Sequence, residues 1–159
     1  PFSFAKLKAV GRLWSIVITA NVVGTFLSSL FFLTTALFTP EVDHALNEIA
    51  HHVASFSAWE NFLKGTMSGL LIAALVWMLP SVNNKILLIF LLTYLIGLGD
   101  FTHVVVGSVE VAYLVWQGQV SLSEFCFQFL LPTTLGNILG GTGVFTLLIY
   151  GQVNEELEE

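Results

Sequence analysis

Residues 99–103, Gly99-Asp100-Phe101-Thr102-His103, form a polar stretch that separates two apolar runs. The flanking runs, residues 85–98 and 104–117, are each about 21 Å long as helices, whereas the hydrocarbon core of a bilayer is about 30 Å thick. Neither run spans a membrane alone, but the two joined end to end are long enough. The sequence therefore predicts one discontinuous transmembrane segment with Asp100, Thr102 and His103 near mid-membrane, where such breaks mark a binding or permeation site.

The composition is that of a membrane protein. Of the 159 residues, 55% are hydrophobic and only 10% are charged, and the mean hydropathy is +0.84. A soluble domain carries about 25% charged residues. Besides the broken segment, three apolar stretches approach or exceed the roughly 20 residues that span a bilayer. They are residues 13–38, 62–80 and 125–150. We therefore predict an all-α membrane protein in which residues 1–159 form a single transmembrane domain of four spanning segments, one of them broken.

The few charged residues predict the topology. Lys6, Lys8 and Arg12 precede the first segment, and Lys85 opens the broken one. Because basic residues mark cytoplasmic loops, both chain ends are predicted to be cytoplasmic, as an even number of crossings requires. The formal net charge of −6 argues against a nucleic-acid partner. We expect a multi-pass protein of the cell inner (plasma) membrane whose immediate partner is the lipid bilayer.

A short internal similarity relates the first and last segments. Residues 20–24 read Ala-Asn-Val-Val-Gly, and residues 136–140 read Gly-Asn-Ile-Leu-Gly. By the predicted topology the two helices run in opposite directions, as in an inverted-topology repeat. The counterpart of the last three segments would then need two more helices before residue 16, and since the chain begins with Pro1 we expect it to be a fragment. The alternative is a chance recurrence among small-residue packing patches.

His103 is the residue expected to carry the function. An ionisable side chain at mid-membrane costs a few kcal/mol, and an ordinary imidazole, with a pKa of about 6.5, exchanges protons at physiological pH. A passing monoanion that takes a proton from it becomes neutral and crosses an apolar constriction cheaply. Burial and the N-terminus of the following helix favour the neutral imidazole at rest. The alternative is a structural histidine bonded to loop carbonyls.

The neighbours of His103 have competing interpretations. Asp100 either tunes the charge of the imidazole or caps the following helix by accepting the N–H of Thr102 or His103, and we favour the cap. The Thr102 hydroxyl donates to His103 or to a permeant anion, or bonds back to its helix. Phenylalanines would form the constrictions, and Phe101 stands closest to the break. The other candidates are Phe26, Phe62 and Phe90.

Four further polar residues lie within or beside the apolar segments. The amides of Asn21 and Asn137 need partners, since an unpaired amide in hydrocarbon is costly. They bond across helices, hold the free carbonyls of the break, or line the pathway. We expect the second role for both, with pathway lining also open for Asn137. Lys64 either snorkels to the headgroups or attracts anions into an outer vestibule, and Glu110 is expected at a subunit contact or at the outer interface.

Three motifs resemble the formate/nitrite transporter family. Residues 99–103 resemble the Phe-x-His break in the fifth helix of that family, residues 131–141 its sixth-helix signature, and residues 21–24 the mirrored motif in the third helix. The resemblance covers residues 13–150 and the last four of six helices. It implies an aquaporin-like fold, a homopentamer, and in each protomer one pathway for a small monovalent anion or weak acid, such as formate, nitrite, hydrosulfide, lactate or acetate. It also assigns Lys64 to the vestibule.

The family's pattern is not matched everywhere. Thr102 stands where the family has an acidic residue before the histidine, and Gly107 stands where it has an asparagine. Residues 68–73 lack the usual Asn and Val-Cys of the fourth helix. The resemblance is therefore to a divergent branch of the family.

Residues 44–52, His-Ala-Leu-Asn-Glu-Ile-Ala-His-His, allow a different function. On a helix, His44, Glu48 and either His51 or His52 share one face, as a metal site would require. The same residues also fit the wet side of an amphipathic surface helix. The alternatives are therefore a membrane metalloprotein built on this cluster and a non-conducting interaction protein. With one cysteine, Cys126, and no Ser/His/Asp, phosphate-loop or Cys-x-x-Cys pattern, we predict no enzyme, no metal and no cofactor.

Overall fold

The computed structural model describes residues 3–35 and 37–158, with side chains up to residue 153. The regular structure of this part of the chain is helical, with no β-strand. The first five helices are α1 (Phe4–Thr34), α2 (Pro40–Ala54), α3 (Ala58–Met78, continued by the 3₁₀ turn Leu79–Ser81), α4 (Lys85–Leu98) and α5 (Val104–Trp116). The last helix, α6, consists of the α-helical segments Leu122–Glu124, Leu131–Ile138 and Phe145–Glu158, joined by the π-helical segments Phe125–Leu130 and Leu139–Val144.

Three stretches are long and apolar enough to cross a membrane. They are Phe4–Thr34, Ala58–Ser81 and Leu122–Val153. Helices α4 and α5, with 14 and 13 residues, are only about 20 Å long each. The predicted break between two half-length helices is therefore present. The membrane boundaries of the four segments, and the single domain over residues 1–159, stay predictions.

The helix ends differ from the limits of the apolar stretches because local capping sets them. Helix α1 ends at Thr34 rather than near residue 38, since Pro40 opens α2 and the preceding Thr39 is extended, with φ −68° and ψ 159°. Helix α3 begins at Ala58 rather than near residue 62, because Ser57 and Glu60 form a reciprocal capping box. Hydropathy thus locates the apolar chain but not the first and last turns of its helices.

Most of the predicted outer loop is helical. Helix α2 packs on α5, and the hydroxyl of Tyr113 donates to the carboxylate of Asp43. Ala50 is buried and Val53 packs beside the aliphatic and aromatic core around Val111. The amphipathic surface helix expected here is therefore present, and it lies along the segment that follows the break.

The chain leaves α4 through a closed turn. The N–H of Phe101 donates to the carbonyl of Ile96 at 3.0 Å, and the N–H of Asp100 donates to that of Gly97 at 3.1 Å. This pair of bonds is a Schellman motif, in which the residue after the C-cap adopts a left-handed conformation. Asp100 does so with φ 51°, where glycine is the usual residue. Asp100 therefore ends α4 through its backbone.

Helices α3 and α6 approach each other through small residues. A Cβ atom added to Gly65 would lie 2.9 Å from the carbonyl oxygen of Thr133, and one added to Gly69 would overlap the main chain of Asn137. Close approach of this kind is the usual way for helices to associate in a membrane. The contact brings Asn137 directly against α3 and, as shown below, into reach of the break.

A proline in α6 frees a carbonyl that α3 then satisfies. Pro132 has no N–H to donate to Gln128, four residues earlier. The side-chain Nδ2 of Asn61 donates to that carbonyl at 2.9 Å instead, and Asn61 is only 1% exposed. Asn61 thereby fixes the register of α3 along α6 near the start of α3, next to the end of α2.

Candidate functional site

His103 lies where the broken segment resumes as α5. It is the N-cap residue of α5, half-buried, and its Nδ1 is buried with no hydrogen-bond partner among the described residues. Such an atom is costly in a low-dielectric interior unless it meets water or a ligand. The loop carbonyls that were the structural alternative for Nδ1 do not accept from it. His103 therefore presents a free nitrogen to its surroundings.

His103 lines three cavities. Each cavity is named for one helix that forms part of its wall. The α1 cavity, about 390 Å³, is lined by Trp14, Asn21, Ser108 and Asn137. The α2 cavity, about 540 Å³, is lined by Glu48, His52, Asp100, Phe101 and Glu110. The α3 cavity, about 510 Å³, is lined by Ile72, Val76, Trp77, Asn137 and Phe145.

The break is held by Asn137 of α6. Its Oδ1 accepts the N–H of Val104 at 3.1 Å, and its Nδ2 lies 3.3 Å from the carbonyl oxygen of Thr102. The same Nδ2 donates to the carbonyl of Gly65 at 2.8 Å and to the hydroxyl of Ser68 at 2.9 Å. One amide thus joins α3, α6 and both sides of the break, and the contact expected between Asn137 and the carbonyls of the break is present.

Thr102 does not face the imidazole. It is only 5% exposed, its hydroxyl donates to the carbonyl of Asn61 at 3.1 Å, and its own carbonyl accepts from Ser68 at 2.6 Å. The expected bonds from the hydroxyl to His103 or back to its own helix are both wrong, because the extended backbone of the break turns this side chain toward α3. Thr102 anchors the break rather than lining a cavity with its hydroxyl.

Asp100 is not the cap of α5. The N-cap position belongs to His103, without a side-chain bond, and Asp100 sits in the left-handed turn that closes α4. From there its Oδ2 lies 3.2 Å from Nε2 of His52, and both side chains are about half exposed. The N-cap prediction was wrong because the turn at the end of α4 points this carboxylate into the α2 cavity.

Asn21 makes a different contact from Asn137. Its Nδ2 donates to the carbonyl of Val17, one turn earlier in α1, at 2.8 Å. The expectation that Asn21 holds the carbonyls of the break is therefore wrong within the described residues, since α1 faces the break across the α1 cavity. Asn21 lines that cavity together with Asn137.

Lys64 stands beside the α2 cavity rather than in its wall. Its Nζ lies 4.3 Å from the centroid of the Phe56 ring, and Phe56 itself lines the cavity. The ring of Phe56 in turn meets that of His52 edge-on at 5.0 Å. The ring of Phe56 thus contacts both the Lys64 cation and the His52 member of the His52–Asp100 pair.

Only one of the candidate phenylalanines lines a cavity at the break. Phe101 lies in the wall of the α2 cavity, whereas Phe26 packs in the interior against Trp116 and Phe125, with ring centroids 5.9 and 5.0 Å apart. Phe62 stacks on Trp59 and Phe90 on Tyr94, both away from His103. Phe101 is therefore the constriction candidate that remains.

Glu110 and His52 line the α2 cavity, and the subunit contact or outer-interface position expected of Glu110 stays a prediction. Glu110 is half-buried and lines the α2 cavity. His44 pairs loosely with Glu48 at 3.8 Å, while His52 turns to Asp100. Within residues 3–35 and 37–158, no three His, Cys, Asp or Glu side chains gather closely enough to hold a metal ion.

Two residues of the site were not singled out from the sequence. Asn61 and Ser68 hold Thr102 and Asn137 in place. A signal for Asn61 does exist, because Pro132 leaves the carbonyl of Gln128 without its helical partner. No comparable signal marks Ser68, whose partners come from α6 and from the break.

The comparisons with known proteins agree on one family. The sequence model of the family described as formate/nitrite transporter matches residues 4–151. The chain is 42% identical over 147 residues to the inner membrane protein YfdC of Escherichia coli (strain K12), covering 92% of this chain and 47% of that relative. The chain thus spans about half the length of the curated relative it matches.

The fold also has a match among solved structures. A pentameric formate channel with formate bound superimposes with a TM-score of 0.80, although the sequences are only 22% identical. The match covers 96% of this chain and 69% of the channel chain. The predicted aquaporin-like helical fold with a broken segment is therefore confirmed.

Proposed function

The chain belongs to the formate/nitrite transporter family, and on this premise we propose that the whole protein is a transmembrane pathway for small monovalent anions or weak acids such as formate and nitrite. His103 is the group that exchanges a proton with the permeating species. The observation that carries this proposal is the meeting of three cavities at His103, whose Nδ1 is buried and unpartnered. The formate bound in the similar channel supports the same class of substrate.

The cavities on the two sides of the break differ in a way that suits this chemistry. Charged side chains line the α2 cavity, whereas Ile72, Val76 and Phe145 line the α3 cavity. Moving a carboxylate into an apolar environment is prohibitively costly, while the neutral acid crosses it at small cost. A monoanion that takes a proton from the imidazolium of His103 becomes that neutral acid, and it releases the proton again where water is available.

The remaining site residues have supporting roles in this proposal. Asn137 and Thr102 fix the backbone that positions His103, Asn21 lines the α1 cavity, and Phe101 narrows the α2 cavity. Lys64 attracts the anion toward the α2 cavity, since its Nζ lies over the ring of Phe56, which lines that cavity. The protein would act without a cofactor, as a permeation pathway rather than as an enzyme.

Assembly and location follow the relatives. We infer a homopentamer with one pathway per protomer, embedded in the inner membrane as a multi-pass protein with both ends cytoplasmic. The pentameric state of the similar channel and the inner-membrane description of the curated relative support this inference. The outward faces of α1 and α4, with Leu27 and Ile86 63% and 81% exposed, supply the apolar surface that lipid or neighbouring protomers would cover.

Transport by the whole protein in proteoliposomes tests the proposal. Uptake of radiolabelled formate, nitrite, acetate, lactate and hydrosulfide is compared among the wild type, His103→Ala and His44→Ala. His44 is an exposed histidine on α2, so its variant controls for the loss of an imidazole as such. We expect uptake of at least one of these substrates, its loss in His103→Ala and its retention in His44→Ala. Full uptake in His103→Ala would refute the proton-exchange role, and no uptake by the wild type would favour a non-conducting interaction protein.

A further inference from the structure

The α2 cavity differs from the other two in its titratable groups. Among the described residues that line the α1 and α3 cavities, His103 is the only one with an acidic or basic side chain. The α2 cavity adds an imidazole and three carboxylates to it. These groups are His52, Asp100, Glu48 and Glu110.

Within that set, His52 and Asp100 form a pair from two different elements. Nε2 of His52, on α2, lies 3.2 Å from Oδ2 of Asp100, in the break. Both side chains are about half exposed, so the pair contributes little to stability by itself. Asp100 nevertheless holds a left-handed backbone conformation, with φ 51°, that glycine would adopt without strain. The carboxylate of Asp100 is thus placed in the α2 cavity by the turn that ends α4.

We propose that His52 and Asp100 relay protons between the aqueous α2 side and His103, an inference that rests on the function proposed above. His52 takes one proton from water and passes it from Nε2 to the carboxylate of Asp100. The resulting carboxylic acid releases the proton to water in the α2 cavity, and that water protonates the imidazole of His103. Each step moves one proton and regenerates the previous donor, so that His103 is reloaded after it protonates a permeating anion.

The geometry offers a path for each step. The cavity of about 540 Å³ has room for several waters, since one water occupies about 30 Å³ in the liquid. His103 and Asp100 line this same cavity and are three residues apart in the chain. The side chain of His52 is about half exposed, so water reaches its imidazole.

Most of the charged groups around His52 are carboxylates. Asp100 faces it from the break, Glu48 lies one turn away on its own helix, and Glu110 on α5 interacts with its charge across the cavity. The opposing charge is Lys64 on α3, which is separated from His52 by the ring of Phe56. The surplus of carboxylates attracts protons into the cavity.

Chemical rescue in the whole protein distinguishes a proton relay from a structural role. Equilibrium exchange of radiolabelled formate is measured in proteoliposomes at pH 7 on both sides, so that no proton gradient drives it. His52→Ala removes the imidazole, Asp100→Asn removes the charge but keeps a residue that tolerates the left-handed conformation, and His44→Ala is the matched control on the same helix. Each protein is assayed with and without imidazole added equally to both sides.

We expect His52→Ala and Asp100→Asn to exchange formate about tenfold more slowly than the wild type, a modest part of what a positioned proton donor contributes. Added imidazole should restore most of the rate to His52→Ala and leave the wild type and His44→Ala unchanged. Unchanged exchange in His52→Ala overturns the relay, and so does a loss that imidazole does not rescue. If the wild type exchanges formate and His103→Ala does not, either failure leaves the proposed function intact. If the wild type exchanges none, both fall.

Discussion

The side-chain carbonyl of Asn137 accepts the N–H of Val104, the first residue of α5, at 3.1 Å. The first N–H groups of a helix have no partner within it. A residue of α6 therefore caps a helix that begins in the middle of the broken segment. This bond gives one backbone N–H at the interruption a partner, directly beside His103.

Replacing that amide by a hydrocarbon of similar size should destabilise the break. Asn137→Leu leaves the N–H of Val104 and the hydroxyl of Ser68 with fewer partners, and each unsatisfied buried group costs about 1–3 kcal/mol. We expect a lower thermal unfolding midpoint in detergent and faster amide hydrogen exchange over residues 99–105. The control is Asn21→Leu, since Asn21 bonds only within its own helix. Equal losses in the two variants would contradict the capping role.

The close contact between α3 and α6 should tolerate no added methyl group. Gly69→Ala would push a Cβ into the main chain of Asn137, so we expect less folded protein and a lower unfolding midpoint. Gly24→Ala in α1 is the matched control, because nothing lies within 4 Å of its added Cβ and alanine is the better helix former. The comparison is made by size-exclusion profile and thermal unfolding, and a stable Gly69→Ala protein would show that the helices are not in such close contact.

Asp100 should matter less for stability than its pairing with His52 suggests. In Asp100→Gly, relief of about 1 kcal/mol of left-handed strain offsets the loss of a half-exposed ion pair, which is worth at most about 1 kcal/mol. The unfolding midpoint is therefore expected to stay level or to rise. Asp100→Ala keeps the strain and loses the pair, so its midpoint should fall. A marked loss in the glycine variant would mean that the His52 contact carries the stability of the break.

Asn61 and Pro132 should be energetically coupled. Asn61→Leu leaves the carbonyl of Gln128 unsatisfied, because Pro132 provides no N–H to it. In the Pro132→Ala background the helix supplies that N–H, and the cost of Asn61→Leu should shrink by about 1 kcal/mol. The four unfolding free energies of this double-mutant cycle measure the coupling. Additive effects would show that the two residues act independently.

The polar groups around the break show which parts of the site can be predicted from the sequence. The polarity of residues 99–103, set between two runs too short to span, was enough to locate the break and to select His103, and Asn137 was selected as an amide within an apolar segment. The partners of Asp100 and Thr102 were assigned wrongly, since the nearest groups in sequence were assumed to be the nearest in space. In fact Thr102 bonds to Asn61 and Asp100 meets His52, which are 41 and 48 positions away along the chain.

Hydropathy and segment length predict the membrane class, the apolar stretches and the position of the broken segment, because both are local properties of the chain. Which side chains meet at the break depends on the rotation and register of the packed helices, and these emerge only when the helices are in place. A rotation of α2 about its axis would exchange His52 for His51 or Glu48 at Asp100 without any change in the hydropathy pattern. The gathering of three cavities at His103 therefore belongs to the packing of α1, α2, α3 and α6 around the break.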